Sequence, residues 1–304
     1  MSQDHDAAFN PAALFEAVKQ QSYPNATLYI VATPIGNSAD ISLRALHLLN
    51  IVDAVACEDT RNTAQLLTRY GLHKPLIAAH QHNEHEVAIK LIQRLQAGER
   101  IALVSDAGTP AVSDPGAIIV DAVRAAGLRV SPLPGASAAI SALSASGLLN
   151  DQFYFVGFLP AKAGQRESVL QGLTQVPASL IFYEAPHRIL ESCQALLQAF
   201  GGSRRIVFAR ELTKLFEEIH RCTLAEAAHW LAQDSHREKG EYVVIVEGAN
   251  PDQADDDLEA KRILTILLAE LSVKQAAALA AQITGQKKNA LYQMALEMKE
   301  QAPE

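Results

Sequence analysis

Five times between residues 27 and 147, a short apolar run is followed by a polar loop and then by a stretch with helical spacing. "TLYIVAT" leads through "PIGNSADIS" into "LRALHLLN", "VDAVACE" into "DTRNTAQLLTRYG", "PLIAAH" into "QHNEHEVAIKLIQRLQAG", "RIALVS" into "AIIVDAVRAAG", and "RVSPLP" into "GASAAISALSASG". The runs are continuous in apolar character rather than alternating, so both faces of each strand are expected to be buried. Strands that alternate with helices imply a mostly parallel sheet covered on both faces. The helices carry their own punctuation. Leu43, Leu46 and Leu49 recur at helical spacing behind Asp40 or Ser42 as cap. Val87, Leu91, Ile92 and Leu95 make one face, and Gly71 and Gly98 are stops.

A second block follows, with "QFYFVGFL", "ASLIFYEA" ahead of "PHRILESCQALLQAFG", "RRIVFARE" and "EYVVIVEG". Its spacing is less regular, so its sheet is expected to be mixed. A chain of 304 residues is too long for one small core. The expected division is an N-terminal extension over 1–26, flexible, then an α/β domain over 27–147 and a second α/β domain over 148–250, with the seam near Gly147–Asp151. "ANPDQADDD" reads as an acidic linker. Residues 258–304 read as a small helical domain whose last two helices turn at Gly285 in a helix-turn-helix pattern.

Several function classes recede on composition. No apolar run approaches the ~20 residues that span a bilayer, and the N-terminus lacks a basic start and a long apolar stretch. Cys57, Cys193 and Cys222 have no C-x-x-C spacing and read as reduced thiols of a cytoplasmic protein. His220, His229 and His236 have no ligand spacing, so no metal is expected. A net charge of −8 argues against bulk electrostatic attachment to nucleic acid.

In parallel α/β sheets, ligands bind at the carboxyl ends of the strands. There this chain places Thr33–Asn37, Glu58–Arg61, His80–Glu84, Ser105–Thr109 and Pro134–Ala138. Small residues let backbone groups approach a ligand closely, as a flat heteroaromatic requires. Asp106 does not suit a phosphate cradle, and neither a G-x-G-x-x-G nor a G-x-x-x-x-G-K-[ST] motif is present. An acidic, backbone-rich pocket suits a ligand with positive charge, such as a sulfonium. The alternative is that Gly and Pro simply turn the chain.

"LYIVATPIGN", "CEDTRNT", "HNE", "LVSDAGTPAVSDPG", "PLPGASAAI", "GFLPAK", "FYEAPHR", "ARELTK" and "KGEYVVIVEG" occur in this order. Together they resemble the small-subunit ribosomal RNA ribose-2′-O-methyltransferase I family of the tetrapyrrole methylase (class III) superfamily. The resemblance covers about residues 27 to 248 and continues into the tail. It implies a two-domain tetrapyrrole-methylase-like α/β architecture, S-adenosylmethionine as donor, and 16S rRNA in the small ribosomal subunit as substrate. The reaction it implies is 2′-O-methylation of a cytidine ribose in the decoding region, by a homodimer with no membrane attachment. One wall of the donor site would be Ser105, Asp106, Ala107 and Gly108, another Pro34 and Gly36, and a third Ser137 and Ala138. Tyr183 and Arg210 would close it from the second domain, or serve as a strand aromatic and an ion-pair partner of Glu211.

Transfer to a ribose hydroxyl needs a proton acceptor. Glu58, Asp59, His82 and Glu84 sit at strand ends and are the candidates; Asp59 could instead cap a helix and Glu58 pair with Arg61. Arg61 and Arg188 could hold flanking phosphates. Lys162, Arg166 and Lys214 near the cleft, and Lys287 and Lys288 in the tail, complete the expected RNA contacts, although the loop after "GFLP" is less basic here than is common in the family. The competing readings are a methylase of a small tetrapyrrole precursor and a non-enzymatic nucleotide-binding protein. Trp230 reads as core.

Overall fold

The computed structural model describes residues 10–300. The first unit runs α1 (Pro11–Lys19), β1 (Thr27–Val31), α2 (Leu43–Ile51), β2 (Ala54–Cys57), α3 (Thr60–Arg69), β3 (Leu76–Ala78), α4 (Glu84–Gln96), β4 (Arg100–Val104), α5 (Ala117–Ala125), β5 (Arg129–Leu133) and α6 (Ala138–Ser146). Its five strands pair in the order β3-β2-β4-β1-β5, all parallel. The continuous apolar runs have the predicted cause. Tyr29, Val31, Val55 and Cys57 face one core together with Leu48, Leu49 and Leu67 of α2 and α3. Leu28, Ala56, Ile101 and Leu103 face the other, with Leu91, Leu95, Ile119 and Val123 of α4 and α5.

This order places the site. The chain leaves β1 toward β2 on one side, whereas it leaves the neighbouring β4 toward β5 on the other. Connections that part between adjacent strands open a crevice at their carboxyl ends. The two loops that diverge there are tied by one antiparallel bridge between Thr33 and Gly108, with hydrogen bonds of 2.8 and 3.0 Å.

The second unit contains β6 (Phe153–Phe158), α7 (Ala163–Gln171), β7 (Ser179–Glu184), α8 (Ile189–Phe200), β8 (Arg205–Arg210), β9 (Glu218–Thr223), α9 (Leu224–Ala232) and β10 (Tyr242–Val246). Its sheet is mixed, in the order β6-β7-β10-β8-β9, with only β6 and β7 parallel. One face packs on α8 and α9, where Trp230 is buried and stacks on Phe208 at 5.1 Å and His220 at 4.2 Å. The other face packs on Ala139 and Ala142 of α6. The last helix before the sequence seam therefore joins the second sheet, and the units interlock rather than meet at Gly147. The tail is a three-helix unit, α10 (Pro251–Leu268), α11 (Val273–Thr284) and α12 (Lys288–Glu300), with an alanine-rich core of its own and Gly285 in the left-handed region between the last two helices.

Three local expectations change. The stretch read as an acidic linker is helical from Pro251, because proline suits a first helical turn and the acidic residues that follow favour it. Of the extension expected to be flexible, residues 1–9 lie outside the described residues. The rest forms α1, and its Val18 and Tyr23 join the first core. In α2 the buried face is Ala45, Leu48 and Leu49, with Leu43 40% exposed, and Ser42 is the cap, its Oγ accepting from Ala45 N–H at 3.1 Å. No helix among the described residues is long and apolar enough to cross a membrane.

Candidate active site

A cavity of about 370 Å³ lies at this crevice, between the two sheets. Its first-unit wall includes Ile35, Ala107, Gly108, Thr109, Asp114, Ser137 and Ala138. Its second-unit wall includes Tyr183, Ala209, Leu212, Lys214 and Tyr242. The volume is within the ~300–1,000 Å³ of small-molecule sites.

The small residues allow the walls to come together. Gly108 has φ of 80°, and a Cβ there would stand 3.5 Å from Ile35 and 3.9 Å from the Ala136 carbonyl. Gly36 does not line the cavity. Its α-carbon faces the second unit, where a Cβ would meet Lys214 Cγ at 2.6 Å and Thr213 Oγ1 at 2.8 Å. It is the close approach of the units that requires glycine there. Hydroxyls lock the floor. Thr33 Oγ1 donates to the Ser105 carbonyl at 3.1 Å, and Thr109 Oγ1 to the Ala136 carbonyl at 3.0 Å. Backbone strain clusters around the cavity as well. Four of the five non-glycine residues with positive φ among the described residues are Ala111 and Ser113 on one side, and Glu211 and Thr213 on the other. Such strain persists only where the surroundings enforce it.

The site's charges fall into bound and less bound groups. Burial and the neighbouring Asp106 raise the pKa of Asp114, against the Ser105 hydrogen bond that lowers it. Glu58 is raised by burial and then by Asp106, Asp114 and Asp59. Burial raises Tyr183, against a backbone hydrogen bond from Ala139 at the start of α6, and pushes Tyr242 up to about 12. Lys214 is pulled down by burial, yet its pairs with Glu211 at 2.8 Å and Glu241 at 2.7 Å prevail and leave it raised.

The cavity brings together the expected Ala107, Gly108, Ser137, Ala138, Tyr183 and Lys214. Pro34, Gly36, Ser105, Asp106 and Arg210 do not line it. Ser105 lies beneath, 2% exposed, with its hydroxyl 3.3 Å from the Ala107 carbonyl. Asp106 turns toward β2, accepting from Asn62 Nδ2 at 2.7 Å and Asp59 N–H at 3.3 Å. Arg210 is buried, donates to the Lys239 carbonyl at 2.7 Å and stands 3.9 Å from Glu218; against burial, its charge helps the Lys214 ion pair to lower the pKa of the adjacent Glu211.

Several catalytic and RNA expectations are corrected. Glu84 is 7% exposed, and its carboxylate accepts from the Gly116 and Ile118 N–H groups at 2.9 and 3.2 Å. It is engaged in holding α5 and is out of reach as a base. Asp59 caps α3 and pairs with Arg61 at 2.6 Å, whose hydrogen bond holds Asp59 down to about 2, far too acidic to take a proton from a hydroxyl. His82 is exposed beside His80, off the cavity. Arg166 is buried, paired with Glu191 and directed at the Pro160 and Ala161 carbonyls, so it offers nothing to a phosphate. Arg188 donates to the Leu159 carbonyl at 2.7 Å and stands 3.5 Å from Glu184, which likewise occupies it. Arg61, Lys162, Lys287 and Lys288 are exposed. Sequence reasoning placed Ile35 in the expected Thr33–Asn37 loop and missed Asp114, Leu212, Glu241 and Tyr242 as lining residues. Asp114 carried a signal, since it lies in "VSDPG", the second turn after β4; the others read as ordinary strand and loop residues. Among the described residues, no cluster of His, Cys, Asp and Glu could hold a metal ion.

The family description "Tetrapyrrole (Corrin/Porphyrin) Methylases" matches residues 27–228, and "RsmI C-terminal HTH domain" matches residues 254–299. The ribosomal RNA small subunit methyltransferase I of Pseudomonas aeruginosa is 54% identical, over 89% of this chain and 97% of its own. The protein of the same name from Escherichia coli O157:H7 is 52% identical, over 89% of this chain and 94% of its own. Among solved structures, the methyltransferase CobJ superposes with a TM-score of 0.55 at 21% identity, over 73% of this chain and 93% of its own, a likeness of fold. The chain belongs to the tetrapyrrole (corrin/porphyrin) methylase family and, within it, to the ribosomal RNA small subunit methyltransferase I family.

Proposed function

We propose that this protein transfers the methyl group of S-adenosylmethionine to the ribose 2′-hydroxyl of a cytidine in the decoding region of 16S rRNA, on the small ribosomal subunit. The observation that carries the reading is the pairing of the crevice with relatives of one name, matched over nearly their whole length, tail included. A methylase of small tetrapyrroles needs the crevice but has no evident use for the tail.

The cavity fits the donor. Glycine and alanine in its first-unit wall let backbone groups face an adenosyl group, and the Asp114 carboxylate favours a sulfonium. When bound, the donor supplies an electrophilic methyl group. The protein's part is to orient the groups, an effect worth up to ~7–11 kcal/mol when reacting atoms are held in line. Leu212 and Tyr183 screen the site from water. The ribose approaches from the open side, and the exposed Arg61 and Lys162 contact flanking phosphates. Lys287 and Lys288 give a second contact from the tail. Sequence-specific RNA recognition usually targets unpaired nucleotides, which the decoding region of an assembled subunit can present.

The chain acts as a homodimer. Supporting this, Leu215 and Phe216 stand 90% and 66% exposed side by side on the loop before β9, an apolar pair that a partner subunit would cover.

The test is incubation with labelled S-adenosylmethionine and unmodified small subunits, deproteinised 16S rRNA or uroporphyrinogen, followed by mass spectrometry of nuclease digests. The expected product is one ribose-methylated cytidine from the subunit arm alone. Label on a base, or on uroporphyrinogen, would refute the reading.

A further inference from the structure

A second cavity, of about 780 Å³, lies at the other end of the second sheet. The donor cavity takes Tyr183 near the close of β7 and Tyr242 at the start of β10, whereas this one takes Pro177 ahead of β7 and Glu247 beyond β10. Those strands have six and five residues, which at ~3.3 Å per residue separates the two cavities by about 15–20 Å. The volume suits a small molecule. Gly248 and Ala249 line this cavity and lead from β10 into the helical tail. That neck is clamped to the loop before β7. The Ala249 N–H donates to the Val176 carbonyl at 2.8 Å, and a Cβ on Gly248 would run into the Pro177 carbonyl.

Its side chains are unevenly partnered. Glu247 is taken by Arg205, which donates to it from Nε at 3.0 Å and again from Nη2. Asn150 is used in holding Ser179 and Gly248, with its Oδ1 accepting from the Ser179 hydroxyl at 3.0 Å and from the Gly248 N–H at 3.3 Å. Arg204 is different. Its Nη2 donates to the Thr174 carbonyl, and its guanidinium lies over the Phe200 ring, 4.9 Å from the centroid. Its Nη1 is shielded from water and has no acceptor. Burial pulls its pKa down, and the charge that opposes this is that of Glu247, already held by Arg205. A native fold rarely leaves a buried donor so, and a group that binds beside it is one reason. Gln152, Gln175 and Ser203 line the same cavity from three different loops, are exposed, and make no side-chain hydrogen bond among the described residues. A guanidinium takes phosphate oxygens. Neutral amides and a hydroxyl take sugar hydroxyls and base edges, which a bare anion does not offer.

We propose that this second cavity binds a nucleotide through its phosphate, with Arg204 on the phosphate and Gln152, Gln175 and Ser203 on the sugar or base. The nucleotide is either a unit of an RNA chain or free, and the chemistry that recognises it is the same. As a unit of RNA it sits at the neck of the tail, between the body that holds the donor and the helices that carry Lys287 and Lys288. That placement rests on the rRNA reading above. It gives a chain of net charge −8 one more cation for RNA, and one whose contact sets the tail against the body.

The experiment compares wild type, Arg204→Met and Gln175→Leu as full chains. Methionine keeps the packing on Phe200 and removes the charge; Gln175 is exposed, so its variant folds even if the other does not. The probes are inorganic phosphate, cytidine 5′-monophosphate and a single-stranded RNA oligomer, with affinities from calorimetry and side-chain amide NMR following Gln152 and Gln175. In wild type the monophosphate and the oligomer should each shift these amides, and inorganic phosphate should do so far more weakly. Arg204→Met should lower both affinities about 10–100-fold, the loss of a charge-assisted hydrogen bond, and Gln175→Leu should lower them less. Both variants should bind S-adenosylmethionine as wild type does. With RNA as the source, the oligomer binds more tightly than the monophosphate, and Arg204→Met reduces the slope of log affinity against log salt by about 0.7, one phosphate contact on a single strand. With a free nucleotide as the source, the monophosphate is the tighter ligand and displaces the oligomer. Amides unmoved by both nucleotide probes, affinities unchanged in both variants, or inorganic phosphate as strong as the monophosphate would each overturn the proposal. If wild type leaves small subunits unmethylated while the monophosphate still shifts the amides, the rRNA reading fails and the nucleotide site stands.

Discussion

Glu84→Ala should be the most damaging single change in the "HNE" segment, and the reason is a missing cap. Helix α5 begins at Gly116, whose φ of 133° and contact with Leu103, 3.0 Å from a built Cβ, leave no room for a capping side chain. The cap is supplied instead from α4, 32 residues earlier, by one oxygen of Glu84 that accepts from both Gly116 and Ile118. A hydrogen bond to a charged group contributes ~1.5–3 kcal/mol. The Gly116 N–H is buried and would be left without a partner. The Ile118 N–H is near solvent and water would replace much of its bond. Adding ~0.3–1 kcal/mol for the carboxylate at a helix N-terminus, we expect Glu84→Ala to cost about 3 kcal/mol. Glu84→Gln keeps an acceptor oxygen in the same place and loses only the charge, so it should cost about 1 kcal/mol. Urea unfolding followed by circular dichroism measures both, as shifts in midpoint at constant slope. Equal costs for the two variants, or a cost for Glu84→Ala below ~0.5 kcal/mol, the level of ordinary surface substitutions, would refute the capping argument.

Other consequences are open to measurement. Gly36→Val should weaken donor binding at least tenfold in calorimetry, because its branches would press on Thr213 and the Leu212 carbonyl and wedge the units apart. Removing residues from Pro251 onward should leave donor affinity unchanged and lower subunit methylation, since the tail has a separate core; full activity without it would show that the tail only packs. Burial pushes the Cys193 thiol up to about 12 and Cys222 up to about 11 and raises Cys57. The thiolate is the reactive form, so at pH 8, below each of these values, none should react readily with iodoacetamide until urea is added. Light scattering at micromolar concentration should give twice the 32.8 kDa chain mass.

The parallel sheet was legible because its evidence is local. A run such as "IALV" is apolar at every position only where both faces are covered, and here both are. The helix-turn-helix pattern was legible for the same reason, in Gly285 and the alanine spacing around it. What resisted reading depended on partners far along the chain. Arg166 looks like any basic residue of an exposed loop, and only the fold places Glu191 and two carbonyls around it. Glu84 and Gly116 lie 32 residues apart and meet only because α4 and α5 pack on one face of the sheet. Asp106 is expected at the ligand from its acidic loop and the family resemblance, whereas Asn62, 44 residues away, turns it aside.

The carboxylates at these strand ends thus divide by partner rather than by position. Asp59 has a guanidinium and a helix terminus and stays charged far below neutrality. Glu84 has two N–H groups and is structural. Asp106 has an amide and a backbone N–H. Glu58 and Asp114 have chiefly other carboxylates near them, which makes them the two that burial and repulsion leave most basic. Only Asp114 reaches the cavity. Arg61→Ala separates these roles. It should free Asp59 to titrate nearer the ordinary aspartate value, since the hydrogen bond that lowers it is gone. Stability gained from that pair is present above the unfolded pKa and lost as pH falls toward about 2, so any difference between Arg61→Ala and wild type should vanish in strong acid. At neutral pH the variant should bind the donor normally and methylate subunits more slowly. Equal methylation rates would show that Arg61 serves the cap alone and meets no phosphate.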